Sequence, residues 1–228
     1  DAEARGDRFA LSGLGASAMV VRHLCDDDGE GARASVRGAL ASWTAAGFHV
    51  LHFLAVWHEA LAALYLDEPE EASRVVEAAW KPAERALLLR IQICAITLHH
   101  VRGAASVGVA AATGGAQRDR ALAAADRAAS FLEKQAVPHA TPLGLLVRAG
   151  ASNVRGDARG AGSLLDAAAK GFDARHMEVF AAVARRHLGV ALGRDGAALV
   201  RAADARLLRE GVRAPTRWCA AIAPGFTR

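Results

Sequence analysis

Apolar residues recur along this chain at helical spacing, and a short acidic or glycine-containing hinge interrupts them again and again. The hinge stands at Cys25-Asp26-Asp27-Asp28-Gly29, Leu66-Asp67-Glu68-Pro69, Arg155-Gly156-Asp157 and Gly193-Arg194-Asp195-Gly196. A mostly apolar segment precedes each hinge, and a more polar, alanine-rich segment follows it. Together these blocks predict five helix pairs: 8–24 with 31–46, 48–66 with 69–80, 83–112 with 117–135, 141–155 with 158–172, and 176–192 with 196–210. Gly47 and Gly211 are placed to stop helices. Pro69 suits a first helical turn, and Pro82 is expected to restart the chain into the third apolar helix. A short last helix is expected over 214–223.

A recurrence of roughly 38–47 residues is the period of stacked helical hairpins. The expected fold is therefore all-α, a tetratricopeptide-like superhelix of antiparallel helix pairs, in one domain spanning 1–228. Such a repeat needs small residues where its two helices cross. The sets Ala60, Ala72, Val76, Ala79 and Ala149, Ala161, Leu165, Ala168 have the required offsets. Residues 214–226 are expected to cap the stack, with Trp218 and Ile222 packing on Leu199, Leu207 and Leu208, because a last repeat has no neighbour to cover it.

Composition agrees with this reading. The chain is 53% hydrophobic but only 5% aromatic, so its core must be built from small side chains. Alanine favours helix strongly, and strand-forming clusters are scarce. The apolar stretch 86–112 is broken by Arg90, His99, His100 and Arg102, which favours a buried repeat helix over a membrane span. Cys25, Cys94 and Cys219 are far apart and odd in number, a pattern suited to a reducing cytoplasm. No secretory pattern opens the chain at Asp1-Ala2-Glu3-Ala4-Arg5, and the absence of an initiator Met is expected of a piece of a longer protein. Charge is uneven. Residues 1–75 hold 12 acidic and 6 basic side chains, and residues 76–228 hold 12 acidic and 22 basic. The acidic and basic ends can therefore face different neighbours. No basic stripe is interleaved with aromatics, which argues against nucleic acid.

Candidate chemistry is thin. His49 and His52 share helical spacing, but His58-Glu59-Ala60-Leu61-Ala62 lacks the second histidine of a zinc motif, and the adjacent His99 and His100 point apart. The glycine runs at 13–15 and 156–162 lack the rest of a nucleotide fingerprint. Ser12 lacks a strand–turn–helix setting, and three aspartates discourage a thiolate at Cys25. No catalytic, cofactor or metal residues are therefore expected. Trp57 and His58, at the aromatic-rich second repeat, are the expected contacts for a protein or peptide held in a concave groove.

Four stretches carry a resemblance: Gly47-Phe48-His49-Val50-Leu51-His52 with the helix running to Leu66-Asp67, Arg85-Ala86-Leu87-Leu88-Leu89-Arg90-Ile91-Gln92, Arg185-Arg186-His187-Leu188-Gly189 to Gly193, and Glu210-Gly211-Val212-Arg213-Ala214-Pro215-Thr216-Arg217 with Ala223-Pro224-Gly225-Phe226. They resemble the C-terminal degenerate tetratricopeptide-repeat region of large bacterial serine/threonine protein kinases that carry an AAA/STAND-like ATPase segment. The resemblance implies a regulatory, partner-binding part of a cytoplasmic signalling protein. It carries no kinase activity here, since the kinase glycine loop and catalytic Asp have no counterpart. Its implied partners include the kinase and ATPase parts of the same polypeptide. The repeat region of STAND-type transcriptional regulators is the second family in view. A stand-alone all-α enzyme or small-molecule sensor is the rival class.

Overall fold

A computed structural model describes residues 4–41, 43, 44 and 46–226. Among them are twelve α-helices: α1 Arg8–Gly15, α2 Ala18–Cys25, α3 Gly29–Ala41, α4 Val50–Tyr65, α5 Pro69–Arg85, α6 Gln92–Ala112, α7 Gly115–Glu133, α8 Ala140–Val154, α9 Ala158–Asp173, α10 Glu178–Ala191, α11 Ala197–Arg209 and α12 Pro215–Ile222. Two 3-10 turns, Leu88–Arg90 and Gly193–Gly196, complete the secondary structure, and no strand occurs among the described residues. The all-α expectation holds. From α2 to α11, each helix packs on the next.

Three of the four hinges, and the ends of α9 and α11, share one physical form, whereas the fourth, Gly193–Gly196, is a 3-10 turn. Helix ends close with a residue in the left-handed region, then the next backbone N–H reaches back five residues to a carbonyl. Asp27, Asp67, His176, Gly156 and Gly211 hold the positive φ. The returning bonds are Asp28 to His23, Glu68 to Ala63, Met177 to Phe172, Asp157 to Ser152 and Val212 to Leu207, all 2.8–3.0 Å. This closure satisfies carbonyls that a helix end leaves open. Asp28 and Asp157 then begin the next helix, their carboxylates accepting from the N–H groups of Gly31 and Gly160. Asp28's carboxyl is accordingly held below the usual range, first by that backbone bond and then by the His23 ring.

Both small-residue sets lie where two helices cross. Ala60, Ala72, Val76 and Ala79 are buried, as are Ala149, Ala161, Leu165 and Ala168. First helices pack on one another from α2 to α4, α4 to α6 and α6 to α8 but not comparably from α8 to α10, and among the described residues no comparable packing links successive second helices. Residues 92–112 are long and apolar enough to cross a membrane, yet 78% of their apolar window is buried inside the molecule.

Several boundaries differ from expectation. The first helix breaks at Ser17, whose backbone leaves helical geometry and whose hydroxyl donates to the Gly13 carbonyl. Its partner α3 ends at Ala41 rather than 46; Ser42 and Ala45 lie outside the described residues. Pro82 does not restart the chain. It lies inside the last turn of α5, and its own carbonyl still accepts from Ala86. The break comes instead at Leu87, which takes the left-handed conformation.

The terminal segment departs most. Val212, Trp218, Cys219, Ala221 and Ala223 are buried, as a cap requires, but the partners are not the last helix alone. Helix α12 packs chiefly on α4, with lesser contacts to α10 and α11. Leu208, expected beneath Trp218, is 55% exposed. The chain returns across α4 and reaches α10 and α11 rather than resting on α11 alone.

Candidate functional site

The residues expected to meet a partner divide. Trp57 is half-buried, its ring 4.3 Å from that of His58 and 6.4 Å from that of Phe53. His58 is 2% exposed and cannot serve as a groove contact. Neighbouring helical residues point about 100° apart, so the turn that leaves Trp57 at the edge sends His58 inward. Its Nδ1–H donates to the Leu54 carbonyl at 2.9 Å, and burial lowers its basicity. The other histidine pair, His49 and His52, caps α4: the His49 N–H donates to His52 Nδ1 at 3.1 Å. Among the described residues no three His, Cys, Asp or Glu side chains converge as a metal site would need.

What lies on the packed layer of first helices is the protein's own C-terminus. The Arg213 backbone N–H donates to the Cys25 carbonyl at 2.8 Å. The Arg213 guanidinium stands 3.0 Å from Asp26, and the Arg217 guanidinium 3.1 Å from Asp27. Tyr65 donates its hydroxyl to the same Asp27 at 2.6 Å. Burial, then this bond, raises the Tyr65 pKa. The acidic first hinge thus receives two cations, Arg213 from the connection before α12 and Arg217 from its first turn.

Further along, the segment meets α8 and α10. Asn153 donates its amide to the Gly225 carbonyl at 2.8 Å. Gly150 permits the approach, because a Cβ there would stand 2.4 Å from the Pro224 carbonyl oxygen. The Arg186 guanidinium bridges Asp204 on α11 and the Thr216 hydroxyl, each at 2.7 Å. His187 Nε2 lies 3.1 Å from the Cys219 carbonyl, and its ring stacks on Phe226 at 4.4 Å. A carbonyl can only accept, so Nε2 carries the proton and Nδ1 is left buried without a partner. Burial pushes the His187 pKa down to about 4 and the Cys219 thiol up to about 12.

The segment does not fill the face it crosses. Beside it lies a cavity of about 440 Å³, floored by Leu64, Pro69, Gly108 and Ala111 and edged by Asp67, Glu70 and Phe226. Two other surfaces are apolar and open to solvent: Phe9, Leu14 and Met19 on α1 and α2, and Leu87, Ile91 and Ile93 around the 88–90 turn, with Ile93 57% exposed. A separate aromatic stack, His99 on Phe131 at 3.6 Å with Trp80 edge-on at 4.9 Å, is internal to α5–α7.

Sequence reasoning missed Asp26, Asp27, Arg213 and Arg217 as partners. The signal was the opposite charge of the two halves, and only the fold brings them together. Comparison with family models, with curated proteins and with solved structures found no match to this chain.

Proposed function

We propose that this chain is a non-catalytic helical-repeat module that binds a protein or peptide on the layer formed by its first helices. The observation that carries the reading is α12 itself, a helix already seated across α4 and α10. Repeat solenoids present a face of this kind, built from the first helix of each pair. Packing among α2, α4, α6 and α8 without comparable packing among the second helices is the pattern that bends a stack with its first helices inside. That curvature, and with it a tetratricopeptide-like superhelix, is part of the proposal. The exposed apolar residues at Phe9, Leu14 and Met19 add a second surface suited to association.

In the fuller form of the proposal the module is the C-terminal regulatory part of a bacterial serine/threonine kinase–ATPase protein, and it binds the kinase or ATPase part of that polypeptide in the cytoplasm. The gene immediately upstream of Asp1 and a titration test this together. If a kinase or ATPase segment is encoded there, the purified segment should bind the chain, and the chain alone should not turn over ATP. A melting-temperature rise with a metabolite or nucleotide, and no association with the upstream segment, would instead favour a small-molecule sensor.

A further inference from the structure

Resting on that reading, we propose that residues 212–226 are a displaceable occupant of a helix-receiving groove. The partner that replaces them is a short helix whose buried side carries an aromatic and small apolar residues, with one cation in its first turn and a second just before it. The segment displays the chemistry the groove accepts. Its buried side is Trp218, Cys219 and Ala221. Its exposed cations are Arg213 and Arg217, and it contains no acidic residue. The groove answers with Asp26 and Asp27 at one end and with Asp67 and Glu70 beside the cavity.

Four features make the occupant exchangeable rather than a fixed element of the core. The cavity of about 440 Å³ alongside it leaves apolar floor uncovered, so a longer or bulkier helix gains contacts that α12 does not make. The Trp218 indole N–H is buried on the segment without an acceptor, an imperfect fit. Both arginines remain more than half exposed, so the charge pairs are open to competition. The connection from α11 is only Glu210–Ala214, with its turn at Gly211, so release needs no other helix to unfold.

The test uses the full chain and a fluorescent synthetic peptide of residues 211–226. In the R213D/R217D variant, four carboxylates face one another and the segment should loosen. Amide exchange across 212–226 should accelerate at least tenfold while α6–α9 stay protected. The peptide should bind this variant at least tenfold tighter than it binds the wild-type chain. Adding D26R/D27R to the variant should restore protection and abolish peptide binding. If R213D/R217D loses its helical spectrum, R217D alone carries the same comparison. Unchanged exchange in the charge-reversed chain would overturn the proposal, as would a loosened segment whose groove binds the peptide no better than wild type. Either failure leaves the module reading standing, since that rests on association with the upstream segment.

Discussion

His187 concentrates the pH behaviour of the molecule. It is buried and neutral, with a pKa pushed down to about 4 mainly by desolvation. His99 and His100 are lowered to about 4 for the same first reason. The unfolded chain therefore binds protons that the folded chain refuses between pH 6.5 and 4. Stability is full above pH 6.5 and falls as pH drops through that window. For His187 alone the loss by pH 4 is on the order of 2–4 kcal/mol. Urea titrations across this range should show it, and His187→Gln should flatten the dependence measurably. Gly150 makes a second test. Its Cβ would strike a backbone oxygen, while Gly38, on α3, has open space around it. Gly150→Ala should cost about 1–3 kcal/mol. Gly38→Ala should gain about 0.5–1 kcal/mol from helix propensity. Calorimetry of the two variants reads both signs.

Helix ends, more than helix interiors, organise the elements. The hinges at 25–29, 66–69 and 155–157 were legible because Asp, Gly and Pro cluster there, and the structure gives each the same backward-reaching closure. The crossing residues were legible too, since a fixed set of small side chains is a strong constraint on two helices. Pro82 and Leu87 were not. Sequence favours a break at the proline, but the proline costs α5 one backbone bond near its end and the helix continues. Leu87 gives no sign of a left-handed turn, because non-glycine residues seldom adopt it and leucine is not among the types enriched there. His176 is another non-glycine residue in that region, with φ of 54° closing α9. Relieving it by His176→Gly should stabilise the protein by about 0.5–1 kcal/mol, the left-handed penalty less the added chain entropy. A thermal melt that falls instead would show that the histidine side chain contributes to the turn.

At the scale of the whole molecule, the acidic beginning and basic end are each other's neighbours. Composition showed the asymmetry but not its purpose, and residue spacing could place Trp218 and Ile222 on one side of a helix without saying which layer that side meets. The fold decides this by carrying 212–226 back over α4, where Trp218 is 8% exposed. The candidate groove was legible only as a repeat-protein expectation, and His58 was assigned to it although the helix turns it inward. Whether the C-terminus lies across the first helices is the claim on which the rest depends. Zero-length carbodiimide cross-linking of the R213K/R217K variant, mapped by mass spectrometry on the monomer, tests it directly. The structure predicts links from residues 213 and 217 to Asp26 and Asp27. Links only to Asp204 and Glu210 of the preceding helix and its turn, with none to the first hinge, would contradict it.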